Sequence, residues 1–139
     1  MILRKYIPKD ADEIIKWIKD KRAFHQWSAD RYPIFPISAD DINCFYHKFG
    51  ENMLIFTAID SFDNAIGHFT FRYPNKNDTT VLRLGFVIID EKLRGKGIGK
   101  QMVSCAVDYA FNKLKADELT LGVFENNLNA YKCYKSCGF

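Results

Sequence analysis

Apolar and charged residues alternate from Ile2 to Ile7, the two-residue period of a half-buried strand. Pro8-Lys9-Asp10 breaks that alternation and opens a helix. Asp10 stands three residues before Glu13, the spacing of a capping box, and Ile14, Ile15 and Ile18 supply the buried stripe. Asp20 to Pro36 holds Phe24, Trp27, Tyr32, Pro33 and Phe35 without a clean period and reads as an aromatic-rich, partly irregular segment. Ser38 with Asp41 caps a second helix, with Ile42, Phe45 and Phe49 on one side.

The middle of the chain is a set of antiparallel strands. Met53–Ile59 and Ala65–Tyr73 are apolar, β-branched runs joined by the hairpin-type connection Asp60-Ser61-Phe62-Asp63-Asn64. Pro74 to Asp78 makes another turn, and Thr79–Ile89 is a third long strand. After Gly99 the period changes: Met102, Val103, Ala106, Val107, Ala110, Phe111 and Leu114 recur at helical spacing, so Lys100–Lys115 is a helix. Glu118–Phe124 reads as a strand and Asn127–Ser136 as a short helix stopped by Gly138. The order is strand, two helices, three strands, helix, strand, helix. That is an α+β or mixed α/β layer architecture, with no repeat or linker to divide residues 1–139 into more than one domain.

Composition narrows the classes. The 139 residues are 47% hydrophobic and 27% charged, with 20 Lys+Arg against 17 Asp+Glu, a formal charge of +3. This excludes a collagenous, disordered or disulfide-framework protein. The near balance and the lack of a long basic block argue against a nucleic-acid partner. The longest apolar run, Leu84 to Ile89, falls far short of the roughly 20 residues of a membrane span. The opening residues show no leader pattern, and a soluble, cytoplasmic protein is the expectation. Cys44, Cys105, Cys133 and Cys137 with His25, His47 and His68 have no zinc-type spacing, so no metal is expected.

The chemistry concentrates where Leu84–Ile89 leads through Asp90-Glu91-Lys92-Leu93 into Arg94-Gly95-Lys96-Gly97-Ile98-Gly99. Alternating glycines let successive backbone N–H groups turn toward one point, and the helix behind them adds its unpaired N–H groups and positive dipole end. Arg94, Lys96 and Lys100 bring positive charge to the same place. The result is an anion site suited to a pyrophosphate. A Walker loop is excluded, because the residue five before Gly99 is Arg94 and Lys100 is followed by Gln101. A dinucleotide fingerprint is unsupported, since the glycines are spaced G-x-G-x-G and the preceding strands are hairpin-connected.

Arg94 to Gly99 resembles the R/Q-x-x-G-x-G/A acetyl-coenzyme A signature of the GNAT superfamily of N-acetyltransferases. Asn127 to Phe139 is similar to that family's second motif, N-x-x-A-x-x-x-Y-x-x-x-G-F, with Asn127, Ala130, Tyr134, Gly138 and Phe139 in place. The resemblance covers nearly the whole chain, the N-terminal half in outline only. It implies a central, mostly antiparallel twisted sheet flanked by helices, and direct transfer of an acetyl group from acetyl-CoA to a primary amine. The pantetheine arm is then expected alongside Val87, Ile88 and Ile89, with a backbone N–H near Val87 polarising the thioester oxygen. The backbone of Arg94, Gly95, Lys96, Gly97, Ile98 and Gly99, with Lys100, is expected to hold the phosphates, and Asn127 the cofactor arm. Tyr134 matches the tyrosine that protonates the departing sulfur, and Tyr131 is the packing or exposed neighbour.

The general base is not assigned. Arg83 stands where many family members place a carboxylate, and Glu125 and His68 are weak candidates. Phe24, Trp27, Asp30, Tyr32 and Phe35 are candidates to line the acceptor site or simply to form core. The acceptor, a small molecule or a peptide amine, is not readable further. The rival to an enzyme is a non-catalytic CoA-binding or interaction module. Family members carry one more strand after the Gly-Phe pair, and the given sequence ends at Phe139. Either self-association through an open edge at Glu118–Phe124, as a homodimer, or a shortened form of a longer protein is the corresponding expectation.

Overall fold

The computed structural model describes residues 1–29 and 31–139. Its elements in chain order are β1 (Ile2–Lys5), α1 (Asp10–Trp17), α2 (Lys21–Ser28), α3 (Ala39–Phe49), β2 (Met53–Ile59), β3 (Ala65–Arg72), β4 (Val81–Ile89), α4 (Ile98–Asp108), β5 (Glu118–Leu121) and α5 (Leu128–Ser136). Short 3-10 turns occupy Gly50–Asn52 and Glu91–Leu93, and a π-helical turn, Tyr109–Lys113, prolongs α4. The strands form one sheet in the order β1-β2-β3-β4-β5. β1 to β4 pair antiparallel, and β5 joins β4 in parallel.

Two expectations at the N-terminal end need correction. Asp10 does not cap α1 from outside but is its first residue, and the capping box with Glu13 is absent. Its carboxylate instead accepts from the Ile7 N–H at 2.9 Å, from Thr57 Oγ1 at 2.7 Å and from both ends of the Arg4 guanidinium at 2.8 Å. Burial would raise the Asp10 pKa, but these hydrogen bonds outweigh it and hold the carboxyl below its ordinary range. The residue that looks like a cap is thus a buried joint between β1, β2 and α1.

The second correction is α2. Within the stretch read as irregular, Asp20 accepts from the Ala23 N–H at 2.8 Å and starts a helix whose Phe24, Trp27 and Ser28 are buried. Eight residues show too little periodicity to stand out among the aromatic residues and prolines that follow. By contrast, the capping box of α3 forms as its sequence predicts, with Asp41 N–H donating to Ser38 Oγ and Ser38 N–H to Asp41 Oδ2.

Both faces of the sheet are covered. Phe56, Phe69, Phe71, Leu82 and Leu84 pack with Met102, Val103 and Ala106 of α4. On the other face Ile14, Trp17, Phe24, Trp27, Ile42 and Tyr46 of α1 to α3 pack with Phe86 and Ile88. β4 therefore serves α4 with Leu82 and Leu84 but the opposite layer with Phe86 and Ile88, a change of face that a regular strand cannot make. The cause is a bulge. The β3–β4 register shifts by one residue between the His68–Ile88 and Thr70–Gly85 pairs, and Phe86 sits at φ 51°.

The bulge also ends the β4–β5 pairing. Their ladder runs from Val81–Glu118 to Leu84–Leu121, and beyond it the strands part.

Candidate active site

A cleft of about 720 Å³ fills the space between the parted strands. Val87, Ile88 and Ile89 form one wall and Gly122 and Val123 the other, with Trp27 of α2 over one end. Of the residues expected to meet the cofactor, Val87, Ile88, Ile89, Arg94, Gly95, Gly97, Gly99, Lys100 and Asn127 all line it, as does Tyr134. Lys96 and Ile98 do not: Lys96 is exposed on the turn, and Ile98 packs against the core beneath α4.

The glycine turn has the form of an anion cradle. Gly95 and Gly97 hold φ of 75° and 79°, in the left-handed region that side chains resist, and a Cβ at either would enter open space. Gly97 caps α4 in this conformation, so the helix begins at Ile98, two residues before the predicted start. No side chain caps its first N–H groups, which are left for a ligand. Arg94 and Lys100 border the same space. These observations fit a pyrophosphate, the group that the signature implies.

Where the β4 bulge meets α2, Trp27 Nε1 donates to the Phe86 carbonyl oxygen at 3.1 Å. A trans peptide points its C=O and N–H in opposite directions, so this bond also fixes the direction of the Val87 N–H. Tyr134 enters from α5, whose N-cap Asn127 accepts from the Ala130 N–H at 3.4 Å. Phe139 packs edge-on against the Tyr134 ring, with centroids 6.2 Å apart. Burial, and secondarily Cys133, push the Tyr134 phenol up to about 12, so it stays protonated near neutral pH. Tyr131 is exposed.

A second, smaller cavity of about 260 Å³ adjoins the cleft on the α2 side and shares Gln26, Trp27, Gly122 and Val123 with it. Of the aromatic residues expected around the acceptor, only Trp27 lines it. Phe24 and Tyr32 are core, Phe35 packs on Phe24 at 5.2 Å between centroids, and Asp30 lies outside the described residues. Its polar lining is instead Gln26, Ser28 and Thr70 with Arg31, Arg72 and Arg83. The sequence reading passed over these residues as a group. Arg72 and Arg83 are the directly paired positions of the β3–β4 hairpin and share one face, a relation that only the strand register reveals.

Neither base candidate reaches either cavity. His68 is fully buried, its Nε2 2.6 Å from the Tyr46 hydroxyl, and burial lowers its pKa to about 3. Glu125 is exposed and lines neither space. Among the described residues no Asp, Glu or His lines them at all.

The same fold recurs in known proteins. The chain superposes on the crystal structure of spermidine N-acetyltransferase from Vibrio cholerae in complex with CoA and spermine with a TM-score of 0.81, covering 99% of this chain and 79% of that one. Sequence identity there is 24%, so the likeness is one of fold. The spermine/spermidine N(1)-acetyltransferase of Bacillus subtilis (strain 168) is 37% identical over 67 residues, 48% of this chain and 44% of that enzyme. A probable N-acetyltransferase of the same organism, YjcK, is 33% identical over 85 residues, 61% of this chain and 45% of that protein. The aligned stretch thus spans less than half the length of each curated relative. The profile of the acetyltransferase (GNAT) domain matches residues 1–139, the full span over which the bulged strand, the glycine cradle and the α5 tyrosine make one cleft. The chain belongs to the GNAT acetyltransferase family.

Proposed function

We propose that this protein transfers an acetyl group from acetyl-CoA to a primary amine by direct attack. The observation behind this reading is the continuous cleft from the glycine cradle, past the Val87–Ile89 edge, to Tyr134. Acetyl-CoA supplies an acyl group activated as a thioester. The cradle of Gly95, Gly97 and Gly99 with Arg94 and Lys100 holds its phosphates, and the free edge of β4 orients its arm.

The reaction forms a C–N bond and breaks a C–S bond, and one proton moves from nitrogen to sulfur. The Val87 N–H, held in direction through Trp27 and Phe86, donates to the carbonyl oxygen as charge grows there. At about 12, the Tyr134 phenol is a weaker acid than an alkyl thiol of pKa about 8.5. Tyr134 therefore serves the departing sulfur by donating a hydrogen bond, and the proton that sulfur keeps comes from the attacking nitrogen.

Four free thiols, Cys44, Cys105, Cys133 and Cys137, support a reducing cytoplasmic setting. No helix of the described residues is long and apolar enough to cross a membrane. β5, with β4 as its only partner among the described residues, supports association of two copies through its outer edge, which light scattering over a concentration series tests. The enzymatic reading itself is tested by thiol release from acetyl-CoA with a panel of amines. CoA binding without thiol release would replace it by the binding-module reading.

A further inference from the structure

The cavity beside the cleft carries three guanidinium groups, from Arg31, Arg72 and Arg83, and no carboxylate among the described residues that line it. None of the three forms a salt bridge with a described residue; the ion pairs found are Arg4–Asp10, Lys16–Glu13 and Lys19–Glu91. Arg72 and Arg83 are adjacent in register on β3 and β4 and half-buried, while Arg31 is exposed. Arg83 is also fitted to its place. A Cβ on Gly122 would lie 2.7 Å from Arg83 Nη2, so the guanidinium rests close against the backbone just beyond β5. Burial first, then the charges of Arg31 and Arg83, make Arg72 easier to deprotonate than usual. The three cations therefore feel one another.

Like charges gathered in a partly enclosed space without a counter-ion among the described residues are a cost that an entering anion relieves. Because Gln26, Trp27, Gly122 and Val123 border both spaces, whatever enters lies next to the thioester end of the cleft. We propose that the amine acceptor carries a carboxylate or phosphate group, held by Arg31, Arg72 and Arg83, and that a polycationic amine is excluded by the same residues. This rests on the acetyltransferase reading and sets its substrate class. It departs from the polyamines for which the relatives are named, since a polyamine would bring several positive charges to three arginines. A cavity of about 260 Å³ suits a small acceptor.

The arrangement also bears on the missing base. A lysine-like amine, with a pKa of about 10.4, is neutral in only about one molecule in a thousand near pH 7. Neighbouring guanidinium groups disfavour its ammonium form and raise the reactive fraction without any proton acceptor. The arginines thus anchor the anion and help to free the nitrogen.

The test is thiol release from acetyl-CoA with four acceptors: L-glutamate, O-phosphoethanolamine, n-butylamine and spermidine. The expected kcat/KM order places one of the two anionic amines at least tenfold above spermidine, and which of them leads tells carboxylate from phosphate. Arg83→Gln and Arg72→Gln should each raise KM for the anionic amine about ten- to hundredfold, the usual effect of removing a charged hydrogen-bond partner, and shrink its preference over n-butylamine. Preference for spermidine, or an unchanged KM for the anionic amines in both variants, would overturn the proposal. Absence of thiol release with every amine would instead remove the acetyltransferase reading. The pocket is then read by calorimetric titration of the CoA-loaded protein with L-glutamate and O-phosphoethanolamine. Binding that weakens in Arg83→Gln upholds the anion site, and no binding sinks it.

Discussion

Trp27 holds the carbonyl of Phe86 by a single 3.1 Å hydrogen bond, and through that peptide it sets the direction of the Val87 N–H, the donor proposed for the reacting carbonyl. The two residues are 59 positions apart and belong to different layers of the fold, so α2 acts as a brace on the strand bulge. Replacing Trp27 by Phe keeps an aromatic ring in the core but removes the donor. We expect kcat to fall about ten- to hundredfold with acetyl-CoA affinity almost unchanged, as for a misplaced group distant from the bonds being made. Steady-state kinetics beside direct titration with acetyl-CoA separate the two effects. A variant of unaltered kcat would free the Val87 N–H from its assigned role.

The glycine cradle invites a blunter change. At Gly97 the backbone sits at φ 79°, and a side chain would project into open space rather than into the core. Gly97→Glu should therefore fold, at a cost of about 1–2 kcal/mol for the left-handed conformation, while placing a negative charge at the proposed phosphate site. Calorimetry with CoA should show no binding. Wild-type affinity in this variant would move the phosphate site elsewhere.

Tyr134→Phe isolates one hydrogen bond. The loss expected is about 10²- to 10³-fold in kcat, the range for removing one preorganised donor, with acetyl-CoA binding retained. Because burial lifts the phenol to about 12, its ionisation lies beyond the assay range. The wild-type rate should rise with pH as the acceptor nitrogen loses its proton, with no alkaline limb due to Tyr134. A falling limb below pH 10 that disappears in Tyr134→Phe would contradict this assignment.

His68 makes a prediction about stability rather than rate. Buried against Tyr46, it stays neutral in the folded protein down to about pH 3, whereas its ordinary pKa is 6.5. The unfolded chain therefore binds a proton that the folded one refuses between these values. Stability should fall as pH drops from 6.5 toward 3, by up to about 1.4 kcal/mol per unit. Urea midpoints at successive pH values, for the wild type and for His68→Gln, measure it. Parallel curves for the two proteins would show that another group governs the acid lability.

Legibility in the sequence followed how local each feature is. Ser38 and Asp41 are three residues apart, and their mutual capping needs nothing from the rest of the chain; the sequence predicts it and the structure has it. The glycines between Arg94 and Lys100 are also local, and they mark the cradle by spacing alone. Asp10 has the same short-range signature as a cap, yet Arg4 and Thr57 claim its carboxylate. Thr57 is 47 positions away, on a strand whose register no local pattern reveals. The arginine cavity is hidden for the same reason. Arg31, Arg72 and Arg83 meet only after α2 has docked and the β3–β4 hairpin has closed in register.

The bulge at Phe86 gives β4 an unusual sensitivity to length. Substituting Phe86 alters a contact, but deleting it would remove the extra residue itself: Val87 and Ile89 would stay on the α4 face and Ile88 on the other, now in the plain alternation of a regular strand. The cleft wall would keep its side chains and lose the irregularity that parts it from β5 beyond Leu84. The opening between the strands thus hangs on one supernumerary residue, and a shorter β4 would keep its core and lose its cleft.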